Sequence, residues 1–166
     1  MNLDSFWRSN MADSEARCIE SLRHTKIKVH DKGTNVSAVF LNPDKRIVER
    51  IRVDGCLVPA RQTAADFLVS MPGTVDVIVE LKGTDLRKAF EQVEATIDFL
   101  NQRKNMQKQP PNSPVTSILI VCSEYPSKNP RIQRKRDALG KRGIRVLVST
   151  HNGGEYNFST FLGKHP

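Results

Sequence analysis

The sequence has no apolar run near the roughly 20 residues that cross a bilayer. Met1 to Asn10 also lacks the basic-then-apolar pattern of a secretory leader. A cytoplasmic protein with no membrane partner is therefore expected. Cysteine is scarce: Cys18, Cys56 and Cys122 are odd in number, far apart and outside any CxxC or Cys/His cluster. They are expected to be buried thiols, since neither a zinc site nor a disulfide framework has this spacing. His24, His30, His151 and His165 are scattered, which argues against a histidine general base or a zinc centre. Aromatic residues are few, and none lies between Lys128 and Arg145, so no stacking platform for single strands is evident there. There is no internal repeat.

What is present suffices for one domain spanning 1–166, because 166 residues with 38% apolar content can bury a single core unaided. The net charge of +8 is regional. Between Asn101 and Arg145 eleven Lys or Arg stand against Glu124 and Asp137, a local +9 that leaves the remainder at −1. Such a region suits a polyanion, because cations that neutralise phosphates release counterions. A solvated basic surface is the competing reading.

Met11, Cys18, Ile19 and Leu22 fall at helical spacing and predict a helix over Ser5 to His24, with Glu15 on its apolar face. A carboxylate there needs a partner. β-Branched segments at Lys26–His30, Asn35–Leu41, Arg46–Val53 and Cys56–Val58, parted by turn residues, predict an antiparallel meander. Ala65–Ser70 and Val75–Lys82 read as a hairpin around Met71-Pro72-Gly73-Thr74. Leu86, Ala89, Phe90, Val93, Ile97 and Leu100 trace the stripe of a helix over Thr84 to Asn101, capped by Thr84 or Asp85. Gln102 to Ser113 is expected to be a mobile surface loop. Val115–Cys122, Asn129–Gly140 and Gly143–Ser149 read as strand, helix, strand, a right-handed crossover that makes the two strands parallel. The core spans about 11–150, and the tail from His151 to Pro166 has no assignable pattern. The architecture expected is α/β, a mixed sheet flanked by helices.

In the strand Val75–Lys82, side chains alternate, so Glu80 and Lys82 project together with Asp76 and Ile78. A carboxylate and an ammonium two apart at a strand end suit phosphodiester hydrolysis. The acid can ligate a divalent cation, and the amine can position water or stabilise developing negative charge. With a three-residue loop Pro72-Gly73-Thr74, Asp66 lies opposite Glu80. With the two-residue loop Pro72-Gly73 it faces Val79, and Glu80 turns away. Asp76 shares the Glu80 face but stands near the turn and is expected to be solvated. Gln92 sits at the edge of the apolar stripe, where it can look toward Lys82.

The runs Ala65-Asp66-Phe67-Leu68-Val69, Val77-Ile78-Val79-Glu80-Leu81-Lys82-Gly83 and Ala89-Phe90-Glu91-Gln92 resemble the D…ExK…Q signature of the PD-(D/E)xK nuclease superfamily. The resemblance implies a restriction-endonuclease-like fold. It also implies Mg²⁺ or Mn²⁺ held by Asp66, Glu80 and the Leu81 carbonyl, with Lys82 as catalytic lysine. Gln92 would match the glutamine on the following helix in some branches, and Glu15 their first-helix acid. Thr96 stands where QxxxY branches have Tyr, and no Pro precedes Asp66.

The function expected is metal-dependent hydrolysis of nucleic acid, with DNA favoured by the resemblance. Lys128, Arg131, Arg134, Lys135, Arg136, Lys141 and Arg142 are expected to hold the phosphate backbone. A homodimer or larger complex is compatible with the sequence. A silent module of the same fold that only binds nucleic acid or protein is the alternative.

Overall fold

Strand alternation builds the centre of this protein. In the computed structural model, which describes residues 6–9, 11–106, 115–124 and 129–163, every residue of β6 (Val75–Leu81) is buried. Its two neighbours are β5 (Phe67–Met71), antiparallel, and β7 (Val115–Val121), parallel. Burial on both faces is what a near-continuous apolar run in a parallel-paired strand requires. The six-stranded mixed sheet is completed by β1 (Ile19–Leu22), β4 (Val48–Arg52) and β8 (Arg145–Ser149), in the order β1-β4-β5-β6-β7-β8.

Two layers cover this sheet. On one face Leu68, Ile78, Ile118 and Ile120 pack against α3 (Leu86–Met106) and α4 (Pro130–Lys141) through Phe90, Val93, Ile97, Ile132 and Leu139. The other face carries Val69, Val77, Val79, Leu81, Leu119 and Val121. It meets a three-stranded sheet of β2 (Lys26–His30), β3 (Ser37–Leu41) and β9 (Gly154–Asn157), in that order. The result is mixed α/β, with helices, large sheet and small sheet stacked in that order. Among the described residues no helix is long and apolar enough to cross a membrane.

The predicted crossover is present, since β7 and β8 are parallel with α4 between them. Other expectations are corrected. The helix over Ser5 to His24 is instead two short turns, α1 (Phe6–Ser9) and α2 (Asp13–Ala16), followed by strand β1. Only four apolar residues defined that stripe, and pairing of Ile19 to Leu22 with β4 outweighs so weak a local preference.

The meander is split between sheets. β2 and β3 pair with each other and cross the large sheet, while β4 returns to lie between β1 and β5. Cys56–Val58 is not a strand and contributes only an isolated Asp54–Val58 bridge. Helix α3 runs to Met106, past the predicted Asn101, because Arg103 pairs with Glu15 and Lys104 approaches Asp76 at 3.7 Å. The remainder of the predicted loop, 107–113, lies outside the described residues. In the tail, β9 pairs with β3, and a 3₁₀ turn (Phe158–Phe161) sets Phe158 and Phe161 against Phe40 at ring separations of 5.3 and 5.7 Å.

The thiol expectation fails for two of the three cysteines. Cys18 and Cys56 form a disulfide across a Cα separation of 5.7 Å, and only Cys122 is a buried free thiol. Their 38-residue separation hides the pairing in the sequence, and the antiparallel approach of β1 to β4 creates it. Disulfides are rare where glutathione keeps thiols reduced, so this bond bears on where the chain works. A Cys18→Ala/Cys56→Ala protein should lose roughly 2–4 kcal/mol, by relief of the chain constraint on the unfolded state. The check is a urea melt of both proteins with and without reductant. An unchanged midpoint would mean that the loop is held by its packing alone.

Candidate active site

The β5–β6 hairpin decides whether a site exists. Phe67 pairs with Val79 and Met71 with Val75, which leaves Pro72-Gly73-Thr74 as a three-residue loop with Gly73 at φ 72°. Glycine adopts that left-handed conformation without Cβ strain. The next position out therefore sets Asp66 against Glu80, on the face toward α3.

The contacts around the pair are specific. Asp66 Oδ2 accepts from the Leu81 backbone N–H at 2.8 Å, and the Asp66 carbonyl accepts from Val53 N–H at 3.0 Å. Glu80 is only 1% exposed. One of its oxygens, Oε1, lies 3.9 Å from Lys82 Nζ. The other, Oε2, is the one buried side-chain N or O atom with no hydrogen-bond partner among the described residues.

Helix α3 holds the lysine. Lys82 Nζ donates to Gln92 Oε1 at 3.0 Å, and Gln92 Nε2 donates to the Ala64 carbonyl at 3.0 Å. One turn on, Thr96 Oγ1 accepts from Ala65 N–H at 2.8 Å and donates to the Gln92 carbonyl at 2.9 Å. The segment before Asp66 is thus stitched to the helix. Thr96, singled out in the sequence only as a departure from QxxxY, is a positioning residue here. Its hydroxyl reaches the backbone from a fully buried position.

Electrostatics sets the pair apart. Burial, reinforced by Asp31 and Asp54, lifts the Asp66 carboxyl to about 6, against the opposing Leu81 N–H and Lys82. Glu80 is pushed well above the usual carboxylate range, by burial first and the adjacent Asp66 second, with Lys82 countering in part. Lys82 alone does not compensate the two carboxylates. In the sequence Asp54 stands only as a turn residue beside Gly55. The bend after β4 brings it beside this pair.

Other predicted site residues are placed elsewhere. Glu15 bonds Arg103 and the Ala12 N–H. Arg103 lies eleven residues beyond Gln92 on α3, about 16 Å along the helix axis. The partner that Glu15 needed is therefore a structural arginine, and the acid does not join the site.

Asp76 is also corrected, being 1% exposed rather than solvated. It accepts from Ser70 Oγ at 2.6 Å and Trp7 Nε1 at 3.2 Å, and burial raises its pKa against the pull of Lys104 and these donors. Packing of Trp7 and α3 over the turn end of β6 covers it.

Of the basic residues around α4, Lys128 lies outside the described residues. Lys135 pairs with Glu94 at 2.8 Å and Arg136 donates to the Val146 carbonyl at 3.3 Å. Arg131 and Arg134 are exposed toward the start of α4, which follows the site end of the parallel strands. Lys141 and Arg142 are exposed where the chain re-enters β8, at the opposite sheet edge, because a crossover helix runs antiparallel to its strands.

No family model, curated protein or solved structure matches this chain. Function therefore has to be argued from the site. No group of three or more His, Cys, Asp or Glu side chains suited to a metal occurs among the described residues. What is present is a carboxylate pair with one oxygen unpartnered in the interior. Hard oxygen donors of this kind fit Mg²⁺ or Mn²⁺, which bind through one or two carboxylates and complete their shells with water and substrate phosphate.

Proposed function

We propose that this protein is a metal-dependent nuclease of the PD-(D/E)xK type with a restriction-endonuclease-like sheet, acting on nucleic acid and preferably DNA. The observation that carries the reading is the buried, unpartnered Oε2 of Glu80 beside Asp66 and Lys82. Leaving such an atom unsatisfied costs about 1–3 kcal/mol or more, a cost that a function explains.

Asp66 and Glu80, with the Leu81 carbonyl, would hold Mg²⁺ or Mn²⁺. When bound there, the cation supplies charge neutralisation at the scissile phosphate and a more acidic water. The chain's own residues do the rest. Gln92 fixes the Lys82 ammonium at the strand end, where it can donate to oxygens that gain negative charge as water adds to phosphorus. The new bond joins the water oxygen to phosphorus, the bond to the leaving oxygen breaks, and a proton passes to that oxygen. The Leu81 N–H keeps Asp66 in register with Glu80 throughout.

The test is a cleavage panel with Mg²⁺ or Mn²⁺ on supercoiled, linear, single-stranded and branched DNA and on RNA, with an EDTA control. Metal-dependent products on at least one substrate are expected. Salt-dependent binding with no cleavage of any substrate would instead favour a binding module of the same fold.

A further inference from the structure

A charged cleft reaches the site at Asp66, without Glu80, Lys82 or Gln92 in its lining. About 550 Å³ in volume, it is walled by residues of both sheets, with Asp66 and Phe67 in its lining. Arg50 ties the two walls together. Its guanidinium donates to the Lys28 carbonyl on β2 and to Glu20 on β1, each at 2.5 Å.

Four further cations line this cleft: Arg17, Lys28, Lys32 and Arg52. All four are exposed, and none of their side chains has a hydrogen-bond or ion-pair partner among the described residues. Exposed cations elsewhere are paired in some cases, as Lys26 is with Glu155, and unpaired among the described residues in others, as Arg131 and Arg134 are; these four are set apart by sharing one cleft. Two of the acids in the cleft are already engaged, Glu20 by Arg50 and Asp31 by the Gly33 N–H. Asp54 and Asp66 belong with Glu80.

The four cations come from the α2–β1 turn, from β2 and its following loop, and from the end of β4. Only the tertiary fold gathers them.

We propose that one phosphodiester strand of a nucleic acid lies along this cleft, its phosphates held by Arg17, Lys28, Lys32 and Arg52. This rests on the nuclease reading for the neighbouring site. A small-molecule pocket would be mainly apolar, whereas this lining is charged apart from Cys18, His30 and Phe67. The volume corresponds to a cube about 8 Å on edge, room for one backbone but not for a duplex whose major groove alone is about 12 Å wide. The binding surface is thus the β2–β4 cleft. Helix α4, where the sequence concentrates its charge, lies on the far face of the large sheet.

Fluorescence anisotropy in EDTA, with labelled single-stranded and duplex DNA of equal length, separates the cases without any need for cleavage. A cleft about 8 Å across spans about two successive phosphates of a single strand, which predicts about a 7-fold fall in affinity between 50 and 200 mM salt, from a slope of about −0.7 per contact. The Arg17→Ala/Lys28→Ala/Lys32→Ala/Arg52→Ala protein should lose most of that dependence, and the Lys28→Ala/Lys32→Ala protein about half. Arg46→Ala, beside Thr74 at the opposite end of β6, should bind like the wild type.

Unchanged affinity and slope in the four-residue variant would overturn the proposal. So would loss of binding in Arg131→Ala/Arg134→Ala instead, tighter binding of duplex than of single strand, equal binding of an acidic peptide, or no binding by the wild type. Normal cleft binding without metal-dependent cleavage would remove the nuclease reading and leave the strand path. Cleavage that survives loss of all four cations unchanged would do the reverse.

Discussion

Replacing Lys82 with alanine should cut single-turnover cleavage about 10²- to 10³-fold while nucleic-acid binding stays near the wild-type value. That is the usual consequence of removing one donor to a developing oxyanion. The Lys82 side chain is 23% exposed and anchored by Gln92, so its loss opens to solvent at the strand end and does not leave a closed cavity. Glu80→Gln should be at least as severe, because it keeps the shape and removes the charge of the group whose Oε2 lacks a partner. Gln92→Ala should cost less, since it frees the ammonium without deleting it. The graded order matters more than any one value. Cleavage at wild-type rate by both Lys82→Ala and Glu80→Gln, in proteins that melt normally, would rule out the mechanism.

A second large effect concerns stability, and it follows from the same carboxylates. A carboxyl whose folded-state pKa is raised binds its proton more tightly when folded. The associated stability is fully present below the ordinary value of 3.8 and is lost as pH rises through about 6 for Asp66. The displacement corresponds to about 3 kcal/mol, which for a chain of this size amounts to roughly 6–12 °C in melting temperature. Glu80 acts in the same direction at higher pH.

The metal-free protein should therefore melt lower at pH 8 than at pH 5. Mn²⁺ should restore the loss at pH 8, since a ligand that binds only the folded state stabilises it. Glu80→Gln should melt above the wild type in EDTA at pH 8 and respond weakly to Mn²⁺. Melting curves in EDTA that are flat or rising from pH 5 to pH 8, with Glu80→Gln less stable than the wild type, would show that the pair is not the uncompensated centre described here.

Much of the site was legible beforehand because its parts lie close in sequence. Alternation through Val75 to Lys82 puts Glu80 and Lys82 on one face whatever surrounds them, and a Gln at the edge of the next apolar stripe faces back toward the strand. The sequence misled where a signal was local and weak. Glu15 looked like a site acid because it lay on an apolar stripe, yet its partner, Arg103, is 88 residues away. Asp76 looked solvated because turns usually are, and Trp7, 69 residues earlier, covers it. The charge count pointed to α4, whereas the unpartnered cations beside the site come from segments that contribute little to the net charge.

The sequence by itself determined the periodic features: the β5–β6 hairpin, the stripe of α3, the parallel crossover through α4 and the pairing of Glu80 with Lys82 on one strand face. Each depends on residues within a few positions of one another. Tertiary structure alone decided the three-residue register that brings Asp66 to Glu80. It also decided the division of strands between two sheets, the conversion of residues 19–22 from helix to edge strand, and the Cys18–Cys56 bond. Each of these is a choice among distant partners of similar local merit. Only the burial gained by closing the whole core separates them.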